Sequence, residues 1–112
     1  MGKIMNLDRI NPIKRDIVAD ILSKVDGYPY LKKMVIFGSS IRNDCRKDSD
    51  IDIALEWTED CLDEDYLYKP FVNPVRDTIS TKTKGNNDVV NIGYEGNVLK
   101  EAIINGVTVY ER

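Results

Sequence analysis

The stretch Val35-Ile36-Phe37-Gly38-Ser39-Ser40-Ile41-Arg42 is followed, after Asn43 to Ser49, by Asp50-Ile51-Asp52-Ile53, and this region decides the fold. Met34 to Phe37 is a short apolar run, which predicts a buried strand. Gly38-Ser39-Ser40 stops that strand abruptly. Ile51, Ile53 and Leu55 alternate with Asp50, Asp52 and Glu56, and this period of two predicts a second strand with one apolar and one acidic face. Asp50 and Asp52, two residues apart, send both carboxylates from the same face. The polar segment from Arg42 to Ser49 predicts a loop or a single helical turn between the strands.

On the N-terminal side, Asn11-Pro12 marks a helix start, with Asn as cap and Pro in the first turn. Ile13, Ile17, Ile21 and then Val18, Leu22, Val25 follow at helical spacing, which predicts a helix ending near Asp26-Gly27. Tyr28-Pro29-Tyr30 reads as a turn. On the C-terminal side, Thr58 to Asp65 predicts a solvated acidic segment. Tyr68, Phe71, Val72, Val75 and Ile79 have helical spacing interrupted by Pro70 and Pro74, which predicts a short helix starting near Pro74. Lys82 to Asn87 reads as a polar loop, and Asp88 to Ile92 as a third strand. Asn97 predicts the cap of a last helix carrying Leu99, Ala102 and Ile103, stopped at Gly106. Val107 to Tyr110 predicts a closing strand. The alternation gives an α/β (α+β) sandwich: a mixed sheet of about four strands with helices packed against it, in one domain over residues 1–112.

Composition narrows the chemistry. The 112 residues are 42% hydrophobic and 31% charged, with a net charge of −3. That balance suits a soluble globular chain and gives no basic excess for binding long nucleic acid. Cys45 and Cys61 are the only cysteines, and histidine is absent. Zinc and His-based nucleophilic catalysis are thereby disfavoured, leaving acid–base and metal work to carboxylates. Reduced thiols and an N-terminus without a signal-like apolar region point to the cytoplasm, and no apolar run is long enough to span a membrane.

Two neighbouring carboxylates on one strand face repel each other, and a divalent cation resolves that conflict. Magnesium prefers oxygen ligands and takes one or two carboxylates together with substrate phosphates. Gly38 permits close approach of backbone to a phosphate, and the Ser39 hydroxyl with nearby N–H groups offers donors to it. If the strand opened by Asp88 lies beside that of Asp50 and Asp52, a third carboxylate joins the pair. Three carboxylates hold two cations roughly 3.5–4 Å apart in the two-metal arrangement for phosphoryl transfer. In that scheme Asp88 is a ligand, a proton acceptor or both.

These residues resemble the minimal nucleotidyltransferases of the DNA polymerase beta superfamily. The pattern is a strand, Gly-Ser, an Arg three residues after the Ser, and Ser-Asp-x-Asp, matched here by Gly38, Ser39, Arg42, Ser49, Asp50 and Asp52. Asp88 falls where that family carries its third acid, and Leu99 to Tyr110 is similar to its closing helix and strand. Ile41 and Asn43 stand where the family often has Ala and Gly. The resemblance implies the polymerase beta-like fold and a nucleotidyltransferase using ATP and Mg2+, with two ions. It also implies a catalytic set of Asp50, Asp52 and Asp88, with Gly38, Ser39 and Arg42 holding the nucleotide. Many proteins of this kind are similar to antitoxins that transfer AMP from ATP to a tyrosine of a partner HEPN toxin.

Each feature alone has a plainer reading: Gly38-Ser39 as a turn, Asp50 and Asp52 as solvated strand acids, Asp88 as an edge residue that favours solubility. Arg42 is equally placed to brace Asp48 or Asp50 and to contact phosphate. Arg46, Lys47, Lys82 and Lys84 read singly as solvated charges. Trp57 and Tyr66 to Tyr68 read as core or as an exposed partner surface. Two rival functions stay open: a catalytically idle module that neutralises a partner by contact, and a nucleotidyltransferase acting on a small molecule, its pocket completed by a homo- or hetero-oligomer.

Overall fold

The computed structural model describes residues 2–63, 66–92 and 104–112. The first helix, α1 (Pro12–Val25), starts where the sequence predicts: the Asn11 side chain accepts the Ile13 N–H at 3.0 Å, and Pro12 occupies the first turn. Asp26 caps its other end, and Gly27 leaves the helix at φ +81°, a conformation that favours glycine. Its buried face is Lys14, Val18, Ile21, Leu22 and Val25. Ile13, expected on that face, is 44% exposed, and Lys14 takes the buried position instead.

The apolar run becomes β2 (Leu31–Phe37) and the alternating run becomes β3 (Ile51–Trp57). They pair antiparallel, with Ile36 opposite Ile53 and Phe37 opposite Asp52. Two further strands complete the expected set: β6 (Asn87–Asn91), parallel to β3, and β7 (Val107–Glu111), antiparallel to β2. The sheet also has a fifth strand, β1 (Lys3–Ile4), antiparallel to β7, giving the order β1-β7-β2-β3-β6. Two residues are too few to show a hydrophobic period, so β1 left no pattern in the sequence.

Two other expectations change. Thr58 to Asp65 is not simply solvated. A 3-10 turn over Glu59–Cys61 buries Cys61, and the following β4 (Leu62–Asp63) pairs with β5 (Tyr66–Leu67) as a small hairpin. The second helix, α2 (Lys69–Thr83), starts five residues before Pro74 and continues into the expected Lys82 to Asn87 loop. Pro70 opens the helix, and Pro74 is tolerated inside it on the exposed side. The buried residues Val72, Val75, Ile79 and Thr83 recur at helical spacing, so packing against the core overrides the breaker. The chain leaves α2 through Lys84 and Gly85, both at positive φ. The helix expected from Asn97 through Ile103 lies outside the described residues.

The period-two strands separate two layers. Val18, Leu22, Met34, Ile36, Ile51, Ile53, Leu55, Val75, Ile79 and Val109 join one core under α1 and α2. Val35, Phe37, Ala54 and Val90 form a smaller cluster on the opposite face, which by alternation is also the face of Asp52 and Asp88. Trp57 belongs to the larger core, where its indole N–H donates to Asn91 Oδ1 at 2.9 Å. Tyr68 is 40% exposed and packs edge-on to Phe71, which stacks on Tyr30 at 3.9 Å. The Tyr28 hydroxyl donates to the Phe71 carbonyl at 2.6 Å, so the aromatic turn after α1 is fastened to α2. No helix among the described residues is long and apolar enough to cross a membrane.

Two outcomes follow from this packing. Pro74 deprives α2 of one hydrogen bond at an exposed position, so Pro74→Ala should stabilise the protein by about 1–2 kcal/mol in chemical denaturation. The gain in helix propensity outweighs the smaller entropic advantage of Pro in the unfolded chain. The second outcome concerns pH. Burial pushes the Cys61 thiol above its ordinary value, an effect partly offset by Thr58 and increased by the Asp60 charge. Burial likewise raises the Tyr28 phenol, with Cys61 and Tyr30 adding to it. Both groups are neutral when protonated and hold their protons to higher pH in the folded state than in the unfolded chain. Their contribution to stability is therefore complete below the ordinary thiol value of 9.0 and is lost as pH rises past it and past the phenol's ordinary value of 10.0. Denaturation midpoints measured from neutral to alkaline pH should fall above about pH 9, and Cys61→Ala should flatten the first part of the fall.

Candidate active site

The site forms where β2 ends and β3 begins. Phe37 and Asp52 are opposite each other in the last register pair of the two strands. Gly38, immediately after, has φ +69°. A Cβ placed there would overlap the Asp52 carboxylate oxygen Oδ2 and come to 3.0 Å of its Cγ. Glycine is favoured here by a backbone conformation that strains other residues, and a side chain in its place would push the Asp52 carboxylate aside. Asp52 is half-buried, while Asp50 and Asp88 are exposed.

From Gly38 the chain makes a single 3-10 turn, Gly38–Ile41. Ser39 is half-buried, and its carbonyl accepts the Arg42 N–H at 2.9 Å, which closes the turn. The Arg42 Nε donates to Asp44 Oδ1 at 3.2 Å, a partner not foreseen from the sequence, and the Arg42 side chain is 52% exposed. Further on, Ser49 Oγ accepts the Arg46 N–H at 3.0 Å and the Ser49 N–H donates to the Arg46 carbonyl at 3.1 Å. This tight turn delivers Asp50 to the position just before β3.

The parallel pairing of β3 with β6 sets Asp88 directly opposite Asp52, with Ile51 opposite Asn87 and Ile53 opposite Val89. Neighbouring strands lie about 4.8 Å apart, and register partners face the same side. The sequence left the neighbourhood of Asp88 conditional on that pairing, and the structure supplies it. The Gly-Ser turn, Asp52 and Asp88 therefore meet at one end of one sheet face, with Asp50 just ahead of the strand.

The whole segment is tied to the start of α1. The Asn11 N–H donates to the Ser40 carbonyl at 2.7 Å, and Asn11 Nδ2 donates to the Arg42 carbonyl at 2.7 Å. Lys14 Nζ donates to the Lys47 carbonyl at 2.8 Å. Asn11 was legible as a helix cap, but its grip on the turn was not. Lys14 was missed altogether. The available signal was its place four residues before Val18, in step with the buried face.

The family description for polymerase beta nucleotidyltransferases matches residues 19–112. The chain belongs to that family. Among solved structures it resembles a mutant of the MntA–HpeT toxin–antitoxin at 18% identity, covering 96% of this chain and 75% of that one, with a TM-score of 0.58. A second neighbour, a toxin–antitoxin with AMP-PNP, is 21% identical over 87% of this chain and 73% of that one, with a TM-score of 0.59. At these identities the likeness is one of fold. No curated protein matches the chain.

The nucleotidyltransferase fold thus carries three carboxylates whose donors are all hard oxygens, a set suited to magnesium and unsuited to zinc. Among the described residues no three His, Cys, Asp or Glu side chains converge closely enough to hold a metal by themselves. A cation here fits as an ion held by one or two carboxylates and completed by phosphate oxygens and water, the usual mode for magnesium. Gly38→Ala should cost about 1–3 kcal/mol of stability from the backbone conformation alone. It should also displace the Asp52 side chain. Thermal or chemical denaturation would read the first effect, and a changed Asp52 environment in NMR spectra the second.

Proposed function

We propose that this chain is a magnesium-dependent nucleotidyltransferase that transfers AMP from ATP to a hydroxyl of a partner protein, a cognate HEPN toxin, and so acts as its antitoxin. The observation that carries the reading is the placement of Asp52 between Gly38 and Asp88: a carboxylate fitted beneath the Gly-Ser turn and paired in register with a second one. Support for the nucleotide comes from the AMP-PNP in one solved neighbour, and support for the partner from the toxin–antitoxin composition of both.

In this reaction the acceptor oxygen bonds to the α-phosphorus, the bond from that phosphorus to the oxygen bridging toward the β-phosphate breaks, and pyrophosphate leaves. The acceptor proton passes to a carboxylate, for which Asp88 is the candidate base. Asp50, Asp52 and Asp88 are the candidate metal ligands; among the described residues they do not form a ready-made three-ligand cluster, so phosphate oxygens and water would complete the coordination. A bound magnesium ion would neutralise phosphate charge as it accumulates on the leaving group. The Ser39 hydroxyl and the N–H groups of the 3-10 turn would orient the phosphates, with Arg42 at the rim. The chain's net charge of −3 suits a small metal-bound triphosphate and a protein acceptor better than a long nucleic acid.

The test is to incubate the protein with ATP, magnesium and the product of its neighbouring gene, and weigh that product by intact-mass spectrometry. The expected result is a gain of one or more AMP groups, abolished by Asp50→Ala or Asp52→Ala and slowed about 10²-fold or more by Asp88→Asn. An unmodified partner that still forms a stable complex with Asp52→Ala would sink the enzymatic reading in favour of neutralisation by contact.

A further inference from the structure

A cavity of about 340 Å³ opens where the first turns of α1, the end of α2 and the segment leading into β3 meet. Lys14, Lys47, Lys82 and Lys84 line it, together with the polar Thr83 and Asn86, and no carboxylate is among its described lining residues. Four lysine residues lining one cavity stand out in a chain of net charge −3.

Ordinary structural roles explain only part of this cluster. Lys82 and Lys84 sit at the C-terminal end of α2, where cations interact favourably with the helix dipole, and Lys82 Nζ is paired with Asp20 Oδ2 at 3.1 Å. Neither explanation reaches Lys14. That residue is 3% exposed, and among the described residues its ammonium group has no carboxylate partner and donates to the neutral carbonyl of Lys47. A buried ammonium without a carboxylate is costly, because a single neutral partner does not replace the lost hydration. Lys14 lines the cavity together with Lys47, whose backbone carbonyl it holds. An anion in that cavity would supply the missing counter-charge.

We propose that this lysine cavity binds a small, multiply charged phosphate compound. After the Lys82–Asp20 pair is set aside, the lining still carries three cations, which calls for a ligand with more than one negative charge. The volume exceeds the needs of a single small anion and falls at the lower end of the range for small-molecule sites. Lysines serve as point charges for phosphate oxygens and do not demand the planar, two-pronged geometry that arginine offers to carboxylates. Lys47 and Ile51 flank Asp50, so an occupant would rest against the segment that positions the acidic site.

Pyrophosphate is the probe. Its binding to the full chain is measured by titration calorimetry in the presence of a chelator, which silences any magnesium-dependent nucleotide site and keeps this test separate from the transferase reading. The expected result is saturable one-to-one binding, weakened at least about tenfold by Lys84→Glu and by Lys47→Glu, both at exposed positions, and retained in Asp52→Asn. Sulfate at equal ionic strength should compete poorly. Lys14→Met should lose the binding as well, with circular dichroism confirming that it folds. No saturable binding would overturn the proposal, as would binding that the two charge reversals leave unchanged or that Asp52→Asn abolishes.

Discussion

The structure turns on a steric exclusion: the Asp52 carboxylate occupies the space that a side chain on residue 38 would need. Everything at the site depends on that fit. It goes with a positive φ that favours glycine at the end of β2, it follows from the register of β2 and β3 that sets Phe37 opposite Asp52, and it places an acid directly beside the backbone of the Gly-Ser turn. A slip of one residue in that register would turn Asp52 into the helix-side core and expose Ile51 and Ile53. The hydrophobic pattern that buries those isoleucines is therefore also what aims the carboxylate.

Register alone does not fix the loop between the strands. The start of α1 does that, through two bonds from Asn11 and one from Lys14 to three carbonyls spread over residues 40–47. A polar segment of this kind would otherwise sample many conformations, at a backbone cost of roughly 1–2 kcal/mol for each residue fixed. The helix thus acts as a template for the loop as well as a lid on the core. Its cap residue serves both roles, because the Asn11 side-chain oxygen closes the helix while its amide nitrogen reaches Arg42.

Much of this was legible in the sequence where one physical signal dominated. The α1 boundaries followed from Asn11-Pro12 and Asp26-Gly27, and β2, β3, β6 and β7 from apolar runs and alternation. The strand pairing that brings Asp88 to Asp52 was legible only as a condition, because parallel pairing is set by the whole crossover through α2 and not by local pattern. Pro74 misled because helix-breaking is a local tendency, whereas α2 is held by four buried residues spaced along its length. Lys14 was invisible to a polar-outside rule: the pattern placed Val18, Ile21, Leu22 and Val25 in the core, where they are, but in the first turn it assigned Ile13 rather than its neighbour Lys14 to the buried face. The partner of Arg42 could not be read because three acids, Asp44, Asp48 and Asp50, lie within reach along the loop.

The sheet order has a consequence for how the chain is made. Strand β2 takes one neighbour from residues 51–57 and the other from residues 107–111. As the polypeptide emerges vectorially from the ribosome, the partners of the β2–β3 and β3–β6 pairs are made before β7, and one edge of β2 has no partner strand until some fifty residues after β3 have been synthesised. That edge carries the apolar run Met34 to Phe37, the kind of segment that pairs with stray strands when left uncovered. Lys33 puts a positive charge beside it, while Lys32 is paired with Glu56 of β3, and a charge at such an edge counts against premature association until β7 arrives.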